Sequence, residues 1–264
     1  MLNRLPPITM ALLISNVLMF FVYQYTPLGN SRLLELYAFQ SPLFRPHQLF
    51  TYMFLHANFW HLFSNMFGLY VFGALLEHVL GDKRYLILYL VCGIGAGVAQ
   101  NAVRYWEYRK LQNDKIAFLS EPTPNQFRAY IKEHVGDEED LNPAFVEFME
   151  EYERNAQNSN YIATAKQYVS RIAQQQVDIP TVGASGAIFG IIMAFALLFP
   201  NLRMMLLIPP IPIKAKYLAL LYAGFELYSL IQQNPNDNVA HFAHLSGMIF
   251  AYILVKYWRV PQYH

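Results

Sequence analysis

Charge is scarce in this chain. Asp, Glu, Lys and Arg make up 14% of its 264 residues, against roughly 25% in a soluble domain, which excludes an ordinary water-facing surface over most of its length. The net charge is +1, and with no basic stripe or nucleic-acid-binding motif an RNA or DNA partner is excluded. The one cysteine, Cys92, permits no intramolecular disulfide and says nothing about compartment. The chain also lacks an internal repeat, the alternating ten-residue segments of a membrane barrel and an H-E-x-x-H zinc helix. No small-x-small cleavage site follows the first apolar run, Ile8 to Tyr25, which is therefore expected to be an uncleaved span.

The charge that is present is uneven. Between Arg104 and Asp178 lie nine of the 19 Lys/Arg and thirteen of the 18 Asp/Glu. The rest is lipid-compatible, and six runs suffice for a hydrocarbon core about 30 Å thick, which takes roughly 20 helical residues. They fall at about 8–26, 58–79, 83–103, 184–200, 215–232 and 238–258. Helices are expected because they satisfy every backbone group internally. The reading is an all-α polytopic membrane protein. Residues 1–103 and 179–264 form one six-helix core, and 104–178 form a polar helical insertion. With six spans, Arg4, Lys83, Arg84, Arg203, Lys214, Lys216, Lys256 and Arg259 share a side, against Arg32 and Arg45 on the other. Both termini are therefore expected in the cytoplasm, with the insertion extracytoplasmic.

The 27–55 connection carries Leu36, Tyr37, Phe39, Phe44, Leu49 and Phe50 and is expected to lie in the interface. Within the insertion, Asn142-Pro143 predicts a helix start, Asn as cap and Pro at the first position. Phe145, Phe148, Met149 and Tyr152 follow at helical spacing, and a second amphipathic stretch carries Tyr161, Ile162, Ala165, Val169 and Ile172. These stripes fit either a small cap buried against itself or a lid over the extracytoplasmic mouth.

Polar residues inside apolar runs need a reason to be there. His61 and Asn65, four apart, share one helix face, and both offer side-chain N–H donors. Two converging donors can form an oxyanion hole, or they can merely hydrogen-bond across helices. Ser185, in Gly183-Ala184-Ser185-Gly186, opens the fourth span, so its backbone N–H is an orphan of the first turn. It is not the G-x-S-x-G elbow, since residue 187 is Ala and no strand precedes it. The bland alternative is a small-residue packing motif. His244 lies three residues before Gly247, which with Ala251 makes a small-x-x-x-small face. If that face meets the Ser185 helix, the imidazole can take the hydroxyl proton.

His56-x4-His61-x3-Asn65, Gly73-x3-Glu77-x3-Gly81, Gly183-x-Ser185-Gly186 and Ala243-His244-x2-Gly247 together resemble the rhomboid family of intramembrane serine proteases. The similarity covers the six-span core and leaves out most of 104–178. It implies a Ser–His dyad without a third acidic member, Ser185 as nucleophile and His244 as base. It further implies an oxyanion hole of His61, Asn65 and the Ser185 N–H, a supporting His56 and a structural Glu77. Gly183, Gly186, Phe189 and Gly247 are expected to support the site. Three departures stand out. His47-Gln48 occupies a first-loop position where many relatives carry Trp-Arg, Phe189 stands where some have a tyrosine against the catalytic ring, and the connection after span three is long.

The expected protein is thus a serine endopeptidase of a bacterial inner (plasma) membrane. It acts on transmembrane protein substrates within the lipid bilayer and needs no cofactor or metal. Span five and the Gln232–Val239 loop are candidates for a substrate gate. Two rivals are a catalytically silent relative that binds membrane clients and a haem protein using the two histidine-bearing spans.

Overall fold

The computed structural model describes residues 5–205, 211–232 and 239–263. Helix α1 (Pro7–Tyr25) begins with Pro at its first position, where the missing N–H costs nothing. Its first turn is closed from another helix. Glu77 accepts hydrogen bonds from the backbone N–H of Ile8 (2.8 Å) and Thr9 (2.7 Å) and from the Thr9 hydroxyl (2.7 Å). A carboxylate here satisfies orphan donors and complements the positive helix end.

Helix α2 (Phe59–Leu80) starts where Asn58 accepts from the His61 N–H at 2.9 Å and widens through one π-turn at Leu69–Gly73. Gly81, at φ 75°, ends it in a conformation natural to glycine. Helix α3 (Asp82–Ser120) follows as a single rod of 39 residues. Sequence predicts span three to end near 103, because hydropathy drops there. The helix instead runs on, since charged residues such as Arg104, Glu107 and Lys110 propagate a helix well even where they end an apolar run.

The insertion continues with α4 (Pro124–His134), α5 (Pro143–Arg154) and α6 (Ser159–Val177). Asn142 caps α5 by accepting from the Ala144 N–H. Phe127, Met149, Tyr152, Ala165 and Val169 bury against one another and against Leu111 and Phe118 of α3, a core separate from that of the bundle.

Helix α7 (Ser185–Leu198), the short pair β1 (Arg203–Met205) and β2 (Pro212–Lys214), α8 (Ala215–Gln232) and α9 (His241–Trp258) complete the chain. Among the described residues, α1, α2 and α3 are long and apolar enough to cross a membrane, and α7 is a shorter apolar helix. Ile14, Leu18, Phe21, Phe63, Leu220, Phe225 and Ile231 are exposed, as lipid-facing side chains should be. Helix α7 sits in the middle and is buried along nearly its whole length. It contacts α9 at glycines. A Cβ on Gly247 would drive into the Gly186 carbonyl, and one on Gly186 would meet Ala96 of α3 at 2.5 Å.

The first connection is held by polar side chains rather than by regular structure. Buried Gln48 donates to the Leu43 carbonyl (3.0 Å) and accepts from the Arg45 N–H (3.1 Å), while His47 Nε2 meets the Leu33 carbonyl at 2.8 Å. Thus the His47-Gln48 pair itself anchors the loop. Asn101 of α3 accepts from the Phe39 N–H at 2.9 Å, and Tyr52 donates its hydroxyl to the Gly93 carbonyl at 2.7 Å.

Candidate active site

Helices α2, α7 and α9 all begin at the same end of the bundle, and their first turns carry the polar residues. The segment entering α7 is strapped to the first connection by a two-way backbone bridge, Leu36 N–H to the Thr181 carbonyl (3.0 Å) and Thr181 N–H to the Leu36 carbonyl (2.8 Å). The Gly183 N–H donates to the Tyr52 carbonyl at 3.0 Å. Gly183 itself has φ 129°, and a Cβ there would stand 2.7–2.8 Å from the His61 ring and 3.7 Å from Ser185 Oγ. Only glycine lets these two side chains approach the same point.

Ser185 Oγ and His244 Nε2 are 2.7 Å apart. The close Gly186–Gly247 crossing brings them together, as the small-residue face of α9 predicts. Phe189, one turn beyond Ser185, lies flat on the imidazole with ring centroids 4.2 Å apart and planes 6° from parallel. On its far side Tyr222 of α8 meets it edge-on at 5.7 Å.

Across the serine, His61 turns Nε2 toward Gly183. Its Nδ1 faces the Ala57 N–H at 3.4 Å. A ring that accepts at Nδ1 carries its proton on Nε2 when neutral, so the nitrogen facing Gly183 is a donor. Asn65 is buried, and its amide donates to the His61 carbonyl at 2.7 Å, leaving one amide N–H over. Buried His56 touches His61 edge-to-face at 5.1 Å. The Glu77 cluster lies at the other end of α2, away from these groups.

Sequence reasoning missed Glu226. It is 4% exposed on α8. Its Oε2 is 2.5 Å from His241 Nδ1 and its Oε1 is 3.0 Å from His244 Nδ1. The second approach is close but off the N–H axis, so it falls short of a hydrogen bond. The resemblance implied a pair with no acidic member, whereas here an acid stands beside the histidine. The available signal was an acid in the middle of an apolar run, which demands a partner. Glu226, His241 and His244 each bring a ligand atom within 4.8 Å of the others, a set able to hold a metal ion. The Gln232–Val239 gate candidate falls largely on residues 233–238, outside those described.

A serine hydroxyl bonded to an imidazole among helices with lipid-facing flanks defines an integral, multi-pass membrane protein with a Ser–His pair at one end of its bundle. The chain belongs to the rhomboid family. The Rhomboid domain model matches residues 44–108 and 158–259, more than half of the chain and all of the site, and leaves out 109–157 within the insertion. The chain is similar to Rhomboid-like protein 11, chloroplastic, of Arabidopsis thaliana, with 44% identity over 52 residues, 20% of this chain and 19% of that protein. It is also similar to Rhomboid protease AarA of Providencia stuartii, with 34% identity over 64 residues, 24% of this chain and 22% of that protein. The matches span about a fifth of the length of these curated relatives.

Proposed function

We propose that this protein is an intramembrane serine endopeptidase that hydrolyses peptide bonds in or beside transmembrane segments of other membrane proteins. The observation that carries this reading is the 2.7 Å contact between Ser185 Oγ and His244 Nε2, at the meeting of two first turns beside a donor-bearing His61. The similarity to AarA, a rhomboid protease, supports the same chemistry. The chain crosses the membrane six times, with α8 and α9 tolerating their polar residues because these face inward. Both termini are cytoplasmic, and the insertion and the Ser185 end of the bundle are extracytoplasmic, in a bacterial inner membrane.

The substrate segment enters between helices and unwinds, since a helical carbonyl is already hydrogen-bonded and shielded. Ser185 Oγ bonds to the carbonyl carbon while its proton passes to His244 Nε2. The oxyanion accepts hydrogen bonds from His61 Nε2, the remaining Asn65 amide N–H and the Ser185 backbone N–H. The C–N bond then breaks, and the His244 proton goes to the leaving amine. Water, activated by the same ring, releases the acyl group and restores Ser185. Phe189 holds the imidazole in plane by stacking.

Fluorophosphonate labelling of the detergent-purified chain beside Ser185→Ala tests this, together with cleavage of a reconstituted transmembrane substrate. Wild type should label and cleave, and the variant should do neither. Equal labelling of both would remove Ser185 as nucleophile. Substrate capture without cleavage would identify a silent client-binding relative.

A further inference from the structure

We propose that Glu226 is a positioning residue for the Ser185–His244 pair, holding the imidazole by its Nδ1 edge and facing the charge the ring gains on taking the serine proton. This rests on the endopeptidase reading and adds to it a third member supplied by α8.

For Ser185 to donate to His244, Nε2 must present a lone pair, so the neutral ring carries its proton on Nδ1. That nitrogen lies 3.0 Å from Glu226 Oε1. The other carboxylate oxygen is held by His241 Nδ1 at 2.5 Å, which fixes the plane of the carboxylate. Both histidines belong to the first turn of α9, the positive end of that helix, which favours an anion beside it. Buried carboxylates within a membrane are costly, and this arrangement gives the charge a partner. The off-axis approach fits a resting site, in which catalytic hydrogen bonds tighten only as charge develops. During attack the serine proton goes to Nε2 and Glu226 stays ionised. The ring returns that proton to the amine, and no proton reaches the carboxylate.

The distances favour this over a metal site. Tetrahedral zinc with ligand bonds of about 2.0–2.1 Å would separate its ligand atoms by roughly 3.3 Å. The 2.5 Å and 3.0 Å separations here are those of groups touching each other directly. Among the described residues, the titratable groups around His244 are Glu226 and, behind Phe189, Tyr222 on α8, His241 on its own helix and His61 on α2.

The test is Glu226→Gln in the full chain, with Ser185→Ala as blank and Glu226→Asp as the conservative variant. Losing the acid that orients a catalytic histidine costs about 10⁴ in kcat where the contact is aligned. For the off-axis contact here the expected loss is about 10²-fold, with KM nearly unchanged and partial rescue by Asp. The Nδ1–H resonance of His244, assigned with His244→Ala, should also shift in Glu226→Gln. A folded Glu226→Gln with unchanged kcat and resonance would overturn the proposal. So would loss of kcat in proportion to folded protein with no change in resonance. One zinc per chain retained by wild type and lost by Glu226→Gln, with activity rising, would replace it with an inhibitory metal site. If wild type neither labels nor cleaves, the endopeptidase reading fails by itself, and the resonance still decides whether Glu226 holds the ring.

Discussion

Replacing Glu77 by Gln removes a charge shared by three donors while nearly preserving volume. Two of the donors are backbone N–H groups of the first turn of α1, and the third is the Thr9 hydroxyl, all at 2.7–2.8 Å. Glu77 and Thr9 are both essentially inaccessible, so water cannot replace the lost acceptor. Hydrogen bonds to charged groups contribute about 1.5–3 kcal/mol and neutral ones about 0.5–1.5, while an unsatisfied buried donor costs about 1–3. A Gln accepts at one oxygen and points an NH₂ at the other donors. Two weakened bonds and one orphaned donor therefore come to roughly 3 kcal/mol. At about 2–4 °C per kcal/mol for chains near this size, the expected fall in Tm is roughly 6–12 °C. Thr9→Val, which deletes only the hydroxyl contact, should lose about a third of that. The assay is thermal unfolding of detergent-purified protein, with fluorophosphonate labelling alongside. Glu77 lies sixteen residues beyond His61 along α2, about 24 Å at 1.5 Å per residue. Labelling at temperatures where the variant is folded should therefore be unchanged. A Tm within about 1 °C of wild type, or labelling lost in the folded variant, would refute the reasoning.

Gly247→Ala should abolish labelling and lower Tm, because its Cβ meets the Gly186 backbone and forces apart the crossing that sets the Ser185–His244 distance. Gel-based labelling at matched folded fraction checks this. Phe127→Ala empties the centre of the insertion core, where the ring meets Phe118, Phe145, Phe148 and Tyr152 at 5.7–6.0 Å. At about 3–5 kcal/mol for such a truncation, limited proteolysis should nick residues 121–158 first, while Ser185 still labels.

What was legible in the sequence was whatever repeats at helical spacing or sits in a motif. The apolar run at 184–200 forms the helix α7 at Ser185–Leu198, and Asn142-Pro143 does start α5. Where the motifs place His61, Ser185 and His244, the structure brings all three to one point. Less legible was anything resting on a single residue. Glu226 has no spacing partner on its own helix; its partners, His241 and His244, are on the next one. The first connection is ordered by Gln48, whose amide gathers irregular backbone within the loop, and by Asn101, which contacts Phe39 from 62 residues away, so no helical spacing marks them. The continuation of α3 past its apolar run to Ser120 was not legible for a different reason. Hydropathy reports where lipid stops, and a helix made of charged residues need not stop with it.

The unbroken α3 has a mechanical consequence. At 1.5 Å per residue its 39 residues make a rod about 58 Å long, clasped at one end by the insertion through Leu111 and Phe118. Further down, the same rod carries the Gly93 carbonyl and Asn101, from which Tyr52 and Phe39 hang. Tyr52 in turn holds Gly183, two residues before Ser185. One continuous helix thus joins the insertion core to the chain of contacts that ends two residues before the nucleophile.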